Sequence, residues 1–160
     1  MVRHFSAGGI VYRKLNSQFQ FLVCKSSNQF MKDPWCLPKG WLDDASDGIP
    51  GPKTLGTSRA STAEVEETAL REVREEAGVE ARIVQRLGSV QYVFSLADNQ
   101  KVFKTIIFFL MEYLRDLPEG FGYETSEIVW VDASEACRLL KNRKGECDLI
   151  KKALSVIVNQ

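Results

Sequence analysis

The sequence has a single histidine, His4, and its four cysteines, Cys24, Cys36, Cys137 and Cys147, form no CxxC pair. A histidine-based zinc site and a Ser-His-Asp triad are therefore improbable. The cysteine spacing is not that of a disulfide scaffold, so free thiols in a reducing cytosol are expected, and with them a cytoplasmic protein. Charge of one sign is also lacking: Lys plus Arg and Asp plus Glu stand at 21 each. Nothing in that balance points to nucleic acid or an anionic membrane as partner. No apolar run reaches the length of a membrane span, and the first residues, MVRHFSAGGIVYRK, lack the layout of a signal peptide. What remains is ordinary: 160 residues, 44% apolar and 26% charged, enough for one domain with a sizeable core.

Apolar patterning gives the order of elements. FSAGGIVYRK and FQFLVCKS read as strands joined around LNSQ, and WCLPKGWL as a short strand broken by Pro38 and Gly40. ARIVQRLGSVQYVFSL and VFKTIIFFLMEYL read as strands turning at DNQ. The second is almost continuously apolar, as in a strand buried on both faces. EIVWVD is a further strand, DASEACRLL opens a helix with Asp132 and Glu135 in capping-box register, and CDLIKKALSVIV is an amphipathic terminal helix. Strands, helix, strands and helices in this order predict an α/β chain, a mixed sheet with helices on both faces in an α/β/α sandwich. Residues 43 to 62 are rich in Gly, Pro, Ser, Thr and Asp and read as one long inserted loop. With little to bury, residues 46 to 60 are expected to be dispensable for folding.

The helix after that loop, near 62 to 77, has a chemical peculiarity. Ser61 and Glu64 form a capping box at its start, and Gly78 is a natural stop. Glu72, Glu75 and Glu76 share one face through i, i+3, i+4 spacing. They crowd the negative pole of the helix, where cations are favoured. Solvated ion pairs with Arg71 and Arg74 are one explanation. The other is a hard divalent cation, Mg²⁺ or Mn²⁺, held by these carboxylates with backbone carbonyls brought in by the PKG turn.

Residues Arg71 to Val79, REVREEAGV, resemble the second half of the Nudix box, G-x5-E-x7-R-E-U-x-E-E-x-G-U, at every defined position. SAGGIVYR, WCLPKG, FFLM and EIVWVDASEA resemble Nudix hydrolases elsewhere along the chain. The resemblance implies a single Nudix-type α/β/α sandwich over residues 1–160. It implies Glu72, Glu75, Glu76 and the backbone carbonyl of Lys39 as metal ligands, and Arg71 as the residue orienting the neighbouring glutamate. Lys39, Gly40 and Lys104 are candidates for the phosphate chain, and Glu124 or Glu127 for an additional catalytic carboxylate. The departure is at the first Glu of the box. Ala63 stands there, and 22 residues separate it from Gly40 where the pattern has five. Glu64 could substitute or simply cap its helix.

The W-x-LPKG form in WCLPKGWL is similar to the branch of dinucleoside polyphosphate and diphosphoinositol polyphosphate hydrolases. It implies a nucleotide-type small-molecule substrate, such as diadenosine tetraphosphate cleaved to ATP and AMP. Alternatives are an inositol pyrophosphate, a nucleoside triphosphate, a nucleotide sugar, or a binding module without catalysis. Phe30, Trp35, Tyr92 and Phe94 are candidates for stacking on a base. Either a monomer or a homodimer is compatible with the sequence.

Overall fold

The computed structural model describes residues 1–160 except 44–47 and 144. Seven strands form one sheet: β1 Val2–Leu15, β2 Gln18–Ser26, β3 Trp35–Cys36, β4 Lys39–Trp41, β5 Val79–Ser95, β6 Lys101–Asp116 and β7 Thr125–Val131. The helices are α1 Pro52–Leu55, α2 Thr62–Ala77, α3 Ala133–Leu139 and α4 Glu146–Val158. The path through the sheet is β3-β2-β1-β6-β5, with β4 also on β1 and β7 also on β2. β1 and β6 run parallel, and the remaining pairs are antiparallel, so the sheet is mixed as expected.

Side-chain alternation assigns the two faces. Ile10, Phe21, Val23, Phe108 and Leu110 join a core with Ala136 of α3, Leu140 just after it, and Leu149 and Ile150 of α4. Their neighbours Val11, Leu22, Phe109 and Met111 join another core with Val65, Ala69 and Val73 of α2. The continuous apolar run of β6 is thus explained: both of its faces are covered. Helices lie on both sides of the sheet, which is the expected sandwich.

Local chemistry accounts for the joints. Asn16 and Ser17 both have positive φ, 51° and 66°, as a two-residue hairpin turn between right-twisted strands requires. Pro38 ends the β3 pairing, whereas Gly40, expected to break a strand, lies inside β4 opposite Ala7. α2 carries both bonds of its capping box, Glu64 N–H to Ser61 Oγ and Ser61 N–H to Glu64 Oε1, each 3.1 Å. At α3 the expected box is half formed. Glu135 N–H donates to Asp132 Oδ1 at 2.8 Å, while the Glu135 carboxylate takes Arg138 instead.

Two expectations are corrected. The stretch read as a featureless loop contains α1, anchored by Asp43. Its carboxylate accepts from the N–H groups of Lys53 (3.0 Å) and Thr54 (2.8 Å), and Thr54 is fully buried. Residues 44–47 of that stretch lie outside the described residues. The thiols are not all free either. The packing of α3 beside α4 brings the Cα atoms of Cys137 and Cys147 to 4.8 Å, and the two are joined in a disulfide. Cys24 and Cys36 are free. Among the described residues no helix is long and apolar enough to cross a membrane.

Candidate active site

One edge of β1 is shared. Its Tyr12–Leu15 end pairs with β2, and its Ser6–Gly8 segment pairs with β4. This fork lays the Lys39–Gly40 backbone over α2. Lys39 N–H donates to Glu76 Oε1 at 2.8 Å, and a Cβ on Gly40 would stand 2.2 Å from the carboxyl carbon of Glu72. Only glycine leaves room for that carboxylate. The box glycine and the helix carboxylates, far apart in sequence because of the insertion, are in contact in the fold.

A cavity of about 950 Å³ opens above this contact. Glu72, Glu75 and Glu76 line it, with Lys39 and Lys104 among the facing residues. Lys104 is carried there by β6 and is not a surface lysine. Arg71 spans Glu72 Oε1 (3.0 Å) and the carbonyl of Trp41 (3.4 Å), so it fixes the glutamate beside it. Glu124 lines the cavity as well. Glu127 is not brought there: it is exposed on β7, in register with Lys25. Glu64 stays in its capping box and pairs with Lys53, so it does not replace the missing first Glu, and Ala63 is exposed.

The electrostatics set the inner pair apart. Burial pushes the Glu72 carboxyl up to about 7, against the pull of Arg71 and with repulsion from Glu75. Burial likewise lifts Glu76 to about 7, opposed by the Lys39 N–H and the Lys39 charge. Lys104 is pushed down to about 8 by burial and by Lys39. The site therefore holds one buried and one half-buried carboxylate, Glu72 and Glu76, whose charge the protein itself compensates poorly. Hard oxygen donors with unbalanced negative charge, under a glycine that leaves space, fit a divalent cation. Among the described residues no three His, Cys, Asp or Glu side chains already converge as a ligand set. Glu75 stands outward, its side chain 61% exposed and 4.0 Å from Arg71 Nε.

The cavity's far wall is the segment 119–124, which includes Glu119, Phe121 and Tyr123, none of them singled out from the sequence. Gly120 and Gly122 mark this segment as a turn, but only the fold brings it to the end of α2. The proposed stacking residues lie elsewhere. Phe30 projects into solvent, Trp35 packs against the α3/α4 core, and Phe94 meets His4 and Tyr92 edge-on or tilted. The aromatic residues on the cavity are Trp41, Phe121 and Tyr123, the last 89% exposed.

The family model described as the NUDIX domain matches residues 2–152. The chain belongs to the NUDIX domain family. The asymmetrical bis(5'-nucleosyl)-tetraphosphatase of Mus musculus is 29% identical over 136 residues, 84% of this chain and 78% of that protein. The MutT4 protein of Mycobacterium tuberculosis is 32% identical over 101 residues, 63% of this chain, but the match spans only 34% of that longer protein. Among solved structures, the Ap4A hydrolase of C. elegans in a binary complex has a TM-score of 0.65. It is 17% identical, with 98% of this chain and 99% of that chain covered. The NUDIX domain of Shewanella oneidensis NrtR, complexed with ADP ribose, has a TM-score of 0.60 at 18% identity, covering 98% and 90%. Family and fold are therefore as the Nudix hydrolase resemblance implies.

Proposed function

We propose that this Nudix chain is a Mg²⁺- or Mn²⁺-dependent pyrophosphohydrolase that cleaves a dinucleoside polyphosphate, diadenosine tetraphosphate in the first instance, to ATP and AMP. The observation that carries the proposal is buried Glu72 and half-buried Glu76 lining one cavity with Lys39 and Lys104. The likeness to the mouse tetraphosphatase over 84% of the chain supports the substrate class.

Each residue has a task set by its position. Glu72, Glu76 and Glu75 would hold the cation, with the backbone carbonyl of Lys39 as a further ligand. A divalent cation, when bound, offsets phosphate charge and acidifies a water molecule. Arg71 keeps Glu72 in one rotamer, which is a positioning task. Lys39 and Lys104 are close enough to depress the Lys104 pKa, so an entering phosphate chain relieves their mutual repulsion. Glu72 or Glu124 accepts the proton of the attacking water. The water oxygen becomes bonded to phosphorus, and the bridging oxygen leaves with the other nucleotide.

The test is chromatographic. The purified protein is incubated with diadenosine tetraphosphate and Mg²⁺, with and without excess chelator. Equal amounts of ATP and AMP, formed only with the cation, are expected. No product from folded protein with Mg²⁺ present would remove this substrate, and inositol pyrophosphates, nucleoside triphosphates and nucleotide sugars would be assayed next.

A further inference from the structure

A second cavity, of about 220 Å³, adjoins the first and shares Lys39 with it. One wall is apolar: Val90 and Ile106 with the ring of Tyr92, from β5 and β6. The other is polar: Asn142 and Arg143 from the connection between α3 and α4, and Glu146 from the first turn of α4. Glu146 is 2% exposed, and among the described residues its Oε2 has no hydrogen-bond partner. A buried acceptor without a donor is costly, and a ligand bringing an N–H would recover that cost. A flat apolar wall opposite a carboxylate acceptor suits a planar ring with an exocyclic amine.

All three polar residues lie between Cys137 and Cys147, a sequence separation of 10 closed by the disulfide. Glu146 is the immediate neighbour of Cys147. α4 begins there from Gly145, and among the described residues no side chain caps its first turn. The same connection is tied to the segment leading into Lys39. Arg143 donates to the carbonyls of Asp33 (3.0 Å) and Trp35 (3.2 Å), and Asn142 to Asp33 Oδ1 (2.7 Å). The disulfide is thus the covalent restraint on the wall that carries the acceptor.

We infer that this cavity takes the amine-bearing base at one end of the substrate, and that the Cys137–Cys147 disulfide sets its grip, so that reduction weakens substrate binding without touching the carboxylates of α2. The inference rests on reading the main cleft as a nucleotide site. The reductant is a dithiol. Its thiolate attacks one cysteine sulfur and displaces the other as a thiolate, and its second thiol then closes a cyclic disulfide. The two electrons end on Cys137 and Cys147, each of which takes up a proton. The freed connection regains conformational entropy that ligand binding must remove again. The cost falls on binding, so KM rises and kcat changes little.

The experiment compares air-oxidised protein with protein kept in excess dithiothreitol, using diadenosine tetraphosphate turnover and direct calorimetric binding of adenosine. Thiol titration of the oxidised, unfolded chain is expected to find two thiols, and finding four would overturn the proposal. Reduction is expected to raise KM and the adenosine Kd several-fold. The double variant Cys137→Ser/Cys147→Ser should show the raised values with or without dithiol. Adenosine should bind roughly tenfold more tightly than purine riboside, which lacks the exocyclic amine. Equal affinity for the two nucleosides, or equal constants for oxidised and reduced protein, would overturn it. The binding arm separates the two readings. If adenosine binds in a dithiol-sensitive way but the tetraphosphate is not cleaved, the proposed reaction fails and the pocket stands.

Discussion

The hydroxyl of Thr125, buried at the start of β7, donates to the backbone carbonyl of Glu76, 49 residues earlier, at 2.7 Å. It is one of several donors on the end of α2. Gly122 N–H reaches the carbonyl of Glu75 at 2.7 Å, and Leu117 N–H reaches that of Gly78 at 2.8 Å. The carbonyls that make a helix C-terminus negative are thereby occupied by the segment that walls the cleft. Three glutamates can stand at this pole because the pole itself is partly neutralised. Thr125→Val keeps the shape and removes the donor, leaving Cys24 Sγ at 3.7 Å as the weaker partner. The variant should lose about 1–2 kcal/mol of stability in urea denaturation. An unchanged midpoint would show that the bond contributes nothing.

Glu76→Gln should remove most turnover, at least about a hundredfold, by withdrawing a charged ligand from the cation. The fold should survive, because the amide can still accept from the Lys39 N–H. In chelator at pH 8 the variant should unfold no earlier than the parent. It has lost a half-buried charge that the protein compensates poorly. Near-normal rates would exclude Glu76 from the metal set, and early unfolding would show its charge to be stabilising.

The same two carboxylates set a pH dependence. Glu72 and Glu76 titrate near 7 in the folded protein, above their ordinary value of 4.5. Below about 4.5 both states are protonated, and the folded state then holds its protons more tightly as pH rises. Stability from this source is therefore present at low pH and lost as pH climbs through about 7. Lys104, held near 8, titrates above that window. A divalent cation competes with the protons for the same oxygens. Thermal unfolding in chelator should show this contribution favouring pH 5.5 over pH 8, and added Mg²⁺ should raise Tm more at pH 8. A Mg²⁺ effect of equal size at both pH values would contradict the assignment.

How much of this was legible in the sequence depends on the range of the interactions. α2, its capping box and its Gly78 stop are local, and the sequence displays them. The both-faces burial of β6 shows in its unbroken apolar run. The REVREEAGV motif places three carboxylates correctly on one face, yet spacing alone does not rank them. Glu72 is buried and Glu76 half-buried while Glu75 points outward, because only β4 decides which side is covered. Lys104 depends on the parallel pairing of β6 with β1, and Phe121 and Tyr123 on where a loop lands. None of these has a local signature. The Cys137–Cys147 bond escaped for the same reason, since a spacing of ten says nothing until two helices pack side by side.

The insertion is where composition misled most, and it yields the sharpest test of the fold. Gly, Pro and Ser suggest a loop that can be cut away, but composition does not reveal a hydrogen-bonded knot. Asp43 binds the N–H groups of Lys53 and Thr54 through its carboxylate, and Thr54 Oγ1 donates to the Asp43 carbonyl at 2.6 Å. Lys53 pairs with Glu64 at the start of α2, and Gly56 lies against the ring of Phe5 in β1. Removing residues 48 to 60 therefore uncovers β1 and strips Asp43 of its partners. Asp43→Ala isolates the knot while leaving the chain length unchanged, and should cost about 1–3 kcal/mol. At this chain length that corresponds to a fall in Tm of roughly 2–10 °C in differential scanning calorimetry. The deletion should cost at least as much. If both proteins melt with the parent, the segment is a passive insertion and the knot has no energetic weight.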